Sequence, residues 1–156
     1  MVIRKILDRF RRPAKAKHFM EDEFLGTLTW EDQIGWRGIM TLANGKTATL
    51  TVDAAKTDES LPEIVRNTVK VVIANEPRIR DKIAFSMSKI YNGTWGGGDN
   101  ITPEELARRI TLTEVSVYEE GDGELLYEAD GNLFTDHTIC ASLDVNGEIG
   151  EPELEG

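Results

Sequence analysis

Residues 36–52, WRGIMTLANGKTATLTV, decide the fold. Trp36 to Leu42 and Thr47 to Val52 are rich in β-favouring side chains, and in the second run Thr47, Thr49 and Thr51 alternate with Ala48, Leu50 and Val52. A period of two sends successive side chains to opposite faces of a strand. Between the runs lies Asn44-Gly45, whose two residues tolerate φ > 0 and so close a hairpin. The chain here turns back on itself as antiparallel sheet.

Upstream, Leu25-Gly26-Thr27-Leu28-Thr29-Trp30 supplies a third strand. Downstream, Ser60 with Glu63 matches a capping box, and Ile64, Val65, Val69, Val72 and Ile73 then line one face of a helix. Pro77 takes a favoured first helical position and opens a second helical stretch carrying Ile79, Ile83, Met87, Ile90 and Tyr91. Gly96-Gly97-Gly98-Asp99 breaks it, and Thr102 as N-cap, Pro103 at N1 and Glu105 at N3 start a short helix that ends near Ile110. Leu112 to Tyr118, Glu124 to Glu128 and Thr138 to Val145 predict three further strands, set apart by glycine-rich turns. This order predicts an α+β fold, an antiparallel sheet of about six strands in a β3-α2-β3 order packed against helices.

The N-terminus reads differently. Val2, Ile3, Ile6, Leu7 and Phe10 recur at helical spacing, while Arg4, Lys5, Arg9, Arg11 and Arg12 fill the remaining surface until Pro13. Residues 1–17 are therefore a basic amphipathic helical arm, 18–23 a linker without periodicity, and 24–156 a single α+β domain. The arm holds seven of the eighteen Lys and Arg against one acid, whereas residues 111–156 hold thirteen acids and no Lys or Arg. A charge split of this kind bears on partners, not on fold.

With 156 residues, 40% apolar and 29% charged, the chain has an ordinary globular composition and needs no metal or disulfide staple. The single cysteine, Cys140, lies in an apolar run and forms no internal disulfide, which points to a reducing, cytoplasmic setting. No apolar run reaches the length of about 18 residues that a spanning helix requires, and Arg9, Arg11 and Arg12 interrupt the start before a signal h-region forms.

Tyr91-Asn92 with Trp95, ITPEEL at 101–106, LTEVSVY at 112–118, DGNLF at 130–134, His137 and LDVNGE at 143–148 together resemble a bacterial family known as domain of unknown function 2262, over residues 60–156. The resemblance implies no activity, cofactor or catalytic residue, and it leaves the arm outside.

Asp136-His137 offers an imidazole beside a carboxylate, the elements of a general base, but no Ser or Cys nucleophile with an elbow accompanies it. The two histidines, His18 and His137, lie far apart and do not make a zinc motif with one cysteine. Asp144-Val145-Asn146-Gly147-Glu148 lacks the glycine placement of a calcium loop, and Gly96-Gly97-Gly98 lacks the spacing and lysine of a phosphate loop. No cofactor, metal or catalytic residue is assigned. Trp30, Trp95 and Tyr91 supply large rings at element ends, and Glu119, Glu120 and Glu124, with Asp136 and His137, supply an acidic surface.

These residues predict a non-enzymatic intracellular binding module, of the immunity or inhibitor type, that engages a basic partner through its acidic C-terminal sheet. Two alternatives stand beside it: a small hydrolytic or metal-dependent enzyme using His137 with Glu128, Asp130 or Asp136, and a structural domain whose acids serve solubility. The arm is expected to dock on the acidic body of its own or a neighbouring chain, giving self-association. The body itself would repel nucleic acid.

Overall fold

The computed structural model describes residues 18–156. In chain order it contains β1 (Phe19–Asp22), β2 (Gly26–Glu31), β3 (Gly35–Thr41), β4 (Thr47–Val52), α1 (Glu63–Ile90), a π-helical turn (Tyr91–Trp95) and α2 (Pro103–Arg109). Then follow β5 (Ile110–Val117), β6 (Gly123–Ala129), β7 (Thr138–Leu143) and β8 (Glu153–Glu155). The helical arm expected over residues 1–17 lies outside the described residues.

The six-stranded antiparallel β3-α2-β3 arrangement is corrected to one eight-stranded mixed sheet in the order β1 to β8. Every neighbouring pair is antiparallel except β4 and β5, which run parallel with Thr49 opposite Glu114 and Thr51 opposite Ser116. A parallel pair needs a crossover, and α1 with α2 supplies it, so two meanders become one continuous surface. The 36–52 hairpin forms as its sequence dictates: Gly45 adopts φ 80° and the Asn44 side chain accepts from the Lys46 amide at 2.9 Å. Two strands were not anticipated. Residues 19–22, read as linker, pair with β2 as β1, and the three-residue β8 closes the other edge against β7.

The helix layer also departs from expectation. One helix runs unbroken over Glu63–Ile90 with Pro77 inside it, and its N-cap, Pro62, makes no side-chain cap, so the Ser60 capping box does not form. An interior proline costs about 3 kcal/mol. Against this, Val65, Val69, Val72, Ile79, Ile83 and Met87 keep one buried stripe in phase on both sides of Pro77, each contributing about 2 kcal/mol by burial. Pro77 itself faces solvent. Burial therefore wins, and the helix continues. The short helix α2 starts as expected, with Thr102 Oγ1 accepting from the Glu105 amide at 3.1 Å behind Pro103.

The helices cover one face of the sheet. Leu28, Trp36, Leu50 and Val52 from the first meander and Val115, Val117, Leu125, Tyr127 and Ile139 from the second are fully buried beneath them. Asp22 ties the sheet edge to α1: its Oδ1 accepts from the Phe24 and Leu25 amides at 2.9 Å and its Oδ2 meets Arg66 at 2.7 Å. Burial works to raise the Asp22 pKa, but the Leu25 and Phe24 amides and the Arg66 guanidinium outweigh it and hold the carboxyl below its ordinary value. Among the described residues no helix is long and apolar enough to cross a membrane.

Candidate functional site

The aromatic residues assemble first. Phe134 is buried, and the rings of Tyr91 and Trp95 meet it edge-on at centroid distances of 5.7 and 6.0 Å. His137 packs on Trp95 at 5.0 Å, and its Nδ1 lies 3.1 Å from both Thr135 Oγ1 and the Phe134 carbonyl. The Asn92 amide clamps the backbone of Ile101 from both sides, accepting from its N–H at 2.7 Å and donating to its carbonyl at 3.0 Å. Segments 91–101 and 130–137 are thereby locked together as a packed corner. Sequence reasoning placed Tyr91, Trp95 and His137 on a binding surface, and the structure does bring them together, with their rings turned on one another.

The carboxylates proposed to assist His137 do not converge on it. Asp130 pairs with Arg109 at 2.7 Å, Asp136 points to solvent, and Glu128 stands on β6. Trp30 lies elsewhere, half-buried and edge-on to Trp36 at 5.5 Å, with its Nε1 donating to Asp32 at 3.0 Å. Glu119 and Glu120 occupy the exposed tip between β5 and β6, where the Gly121 carbonyl accepts from Thr68 of α1 at 2.7 Å.

What remains is the sheet face that no helix covers. Strand pairing puts Phe19, Thr29, Arg37, Thr51, Ser116, Glu124 and Ser142 in one row across seven strands. A parallel row carries Ile39, Thr49, Glu114, Leu126, Cys140 and Glu153. On this face stand Glu21, Glu31, Glu114, Glu124, Glu128, Glu153 and Glu155 and, among the described residues, one cation, Arg37, which pairs with Glu31 at 3.2 Å. The remaining positions are mostly hydroxyls, and Thr51 Oγ1 donates to Ser116 Oγ at 2.8 Å. A shallow groove of about 600 Å³ runs over β2 to β4 beside Thr27, Thr29, Glu31, Arg37 and Ile39.

Most of the described cations belong to the helix layer instead. Of the eleven Lys and Arg outside the arm, Arg66, Lys70, Arg78, Arg80, Lys82 and Lys89 belong to α1, and Arg108 and Arg109 to α2. The domain thus has an acidic sheet face and a helix layer that holds most of its cations. Of the residues named from sequence, Glu124 and Glu128 fall on the sheet face, Glu128 having been named only as a partner for His137. The others were missed, although the alternation of Thr and Glu with apolar residues carries their signal.

Near the β8 edge of this face, burial and then the neighbouring Glu124 carboxylate push the Cys140 thiol up to about 12, with Glu155 adding to the effect. Cys140 Sγ donates to Glu124 Oε1 at 3.5 Å, and the Tyr118 hydroxyl donates to Glu124 Oε2 at 2.9 Å. Burial first and Glu124 second also push the Tyr118 hydroxyl up to about 12. Glu124, Cys140 and Glu155 place ligand atoms within 4.8 Å of one another, the one such group among the described residues.

A family model described as an uncharacterised protein conserved in bacteria (DUF2262) matches residues 22–154. The match spans β2 to β7 whole and β8 up to Leu154, and it leaves out the basic arm and all of β1 but Asp22. No curated protein and no solved structure matches the chain.

Proposed function

We propose that this chain, which belongs to the bacterial DUF2262 family, is a non-enzymatic binding module that engages a basic protein surface through the uncovered face of its sheet. The observation that carries this reading is the placement of seven carboxylates, Glu21, Glu31, Glu114, Glu124, Glu128, Glu153 and Glu155, on that face against, among the described residues, one cation, Arg37. Strands hold these groups at fixed spacing, so a partner with complementary cations loses little entropy in matching them. The separation of charge also orients the encounter, because a cationic surface is drawn to the sheet and repelled by the Lys and Arg of α1. Nothing in the arrangement of His137 favours the hydrolytic alternative: among the described residues its hydrogen-bond partners are Thr135 and the Phe134 carbonyl.

The test is binding of a lysine-rich peptide by the full chain and by two sets of variants. Glu114→Gln, Glu128→Gln and Glu153→Gln combined should weaken binding about tenfold or more, since each removes a cross-interface attraction of roughly 0.5 kcal/mol. Glu119→Gln with Glu120→Gln at the hairpin tip should change it by less than about twofold. Equal losses in both sets would reduce the attraction to net charge and refute a site on the sheet.

A further inference from the structure

Resting on that reading, we infer that the chain's own basic segment, residues 1–17, docks in cis on the acidic sheet face and competes there with an external basic partner. Three observations converge on this occupant. The segment carries Arg4, Lys5, Arg9, Arg11, Arg12, Lys15 and Lys17 against Asp8, a charge opposite to that of the face. It also carries Val2, Ile3, Ile6, Leu7 and Phe10, and the face offers apolar partners in Ile39, 67% exposed and lining the β2 to β4 groove, and Phe19, 56% exposed, on edge strand β1 opposite Thr29. Lastly, the segment joins the domain at His18, whose carbonyl accepts from the Trp30 amide at 2.9 Å, next to the edge strand that begins the acidic rows.

Reach is sufficient. As the helix its spacing predicts, the segment spans about 26 Å, and the five strand spacings from β1 to β6 cover about 24 Å, so Glu31, Glu114, Glu124 and Glu128 lie within its range. Direction is set by charge: the helix layer presents Arg66, Lys70, Arg78 and Lys82 and repels the segment, leaving the sheet as the attractive side. Covalent attachment at the edge of its own docking face also gives the segment an effective concentration of order millimolar, which an external partner must overcome. The segment is thus a built-in competitor that sets a threshold for partner binding.

The experiment is zero-length carbodiimide cross-linking of the full chain, followed by peptide mass spectrometry, on an equal mixture of ¹⁴N- and ¹⁵N-labelled protein at low micromolar concentration. Docking in cis predicts single-isotope links from Lys5, Lys15 or Lys17 to Glu31, Glu114, Glu124 or Glu128. Absence of those links, links confined to Glu63, Glu104 or Glu105 in the helix layer, or mixed-isotope links that reveal a second copy would each overturn it. A second measurement separates this inference from the function it rests on. Neutralising the seven basic residues of the segment to Gln should raise the affinity of a lysine-rich peptide about tenfold or more. Peptide binding that is the same in both forms, without the links, removes the competitor and leaves the binding module standing. Links to the sheet with no peptide binding in either form keep the docking and remove the external partner.

Discussion

Thr51 Oγ1 donates a 2.8 Å hydrogen bond to Ser116 Oγ across the parallel seam between β4 and β5. This contact joins residues on either side of the whole helix layer and makes two four-stranded meanders one surface. A half-buried hydroxyl pair of this kind contributes about 1 kcal/mol. Ser116→Ala should lower stability by about that amount in chemical denaturation, with one cooperative transition preserved. Two resolved transitions would show that the meanders are independent units.

Asp22 should govern the acid limb of stability. Its folded pKa lies below the ordinary value, so its contribution is fully present above about pH 4 and is lost as pH falls through the depressed folded value. Asp22→Asn leaves the Arg66 guanidinium without its 2.7 Å partner and should cost about 2–4 kcal/mol at pH 7. The variant should also lose less stability than the parent between pH 4 and pH 2. An unchanged acid slope contradicts the role assigned to Asp22.

Cys140 should be inert in the folded protein. A thiol pushed from 9.0 to about 12 holds about a thousandfold less thiolate at pH 8. Iodoacetamide labelling should therefore proceed through unfolding rather than through the native state. Glu124→Gln removes the neighbouring charge and should bring both the Cys140 and Tyr118 pKa values down, read as faster labelling and as an earlier tyrosinate rise in the ultraviolet spectrum. Identical profiles for parent and variant would mean that burial alone sets both values.

His137 is a packing residue in this account. His137→Gln forfeits the contact with the Trp95 ring at 5.0 Å and should cost about 1 kcal/mol, with the peptide affinity of the sheet face unchanged. Loss of binding at unchanged stability would move the functional site to the aromatic corner.

How much of this was legible in the sequence follows the range of each interaction. The Asn44-Gly45 hairpin and the Thr102-Pro103-Glu105 helix start were readable because their hydrogen bonds close within five residues. Strand β1 was not, since Phe19–Asp22 has no clear alternation and is held by pairing with β2 and by Arg66, 44 positions away. At Pro77 a strong local stop signal lost to burial that only the assembled sheet provides. The acidic face was half-legible. Alternation of Thr and Glu with apolar residues implies one wet side, but the rows that align Glu114 with Thr49 and Ser116 with Thr51 are set by the parallel register of β4 and β5.

The most direct measurement of the central claim is an amide chemical-shift titration of the ¹⁵N-labelled full chain with a lysine-rich peptide at low salt. The account predicts that the largest changes cluster on the uncovered face, at Thr49, Glu114, Ser116, Glu128 and Glu153, and fade as salt rises toward 0.3 M and the Debye length shortens to about 6 Å. Changes centred on α1 or on the Tyr91, Trp95 and His137 corner, or no changes at any salt concentration, would contradict it.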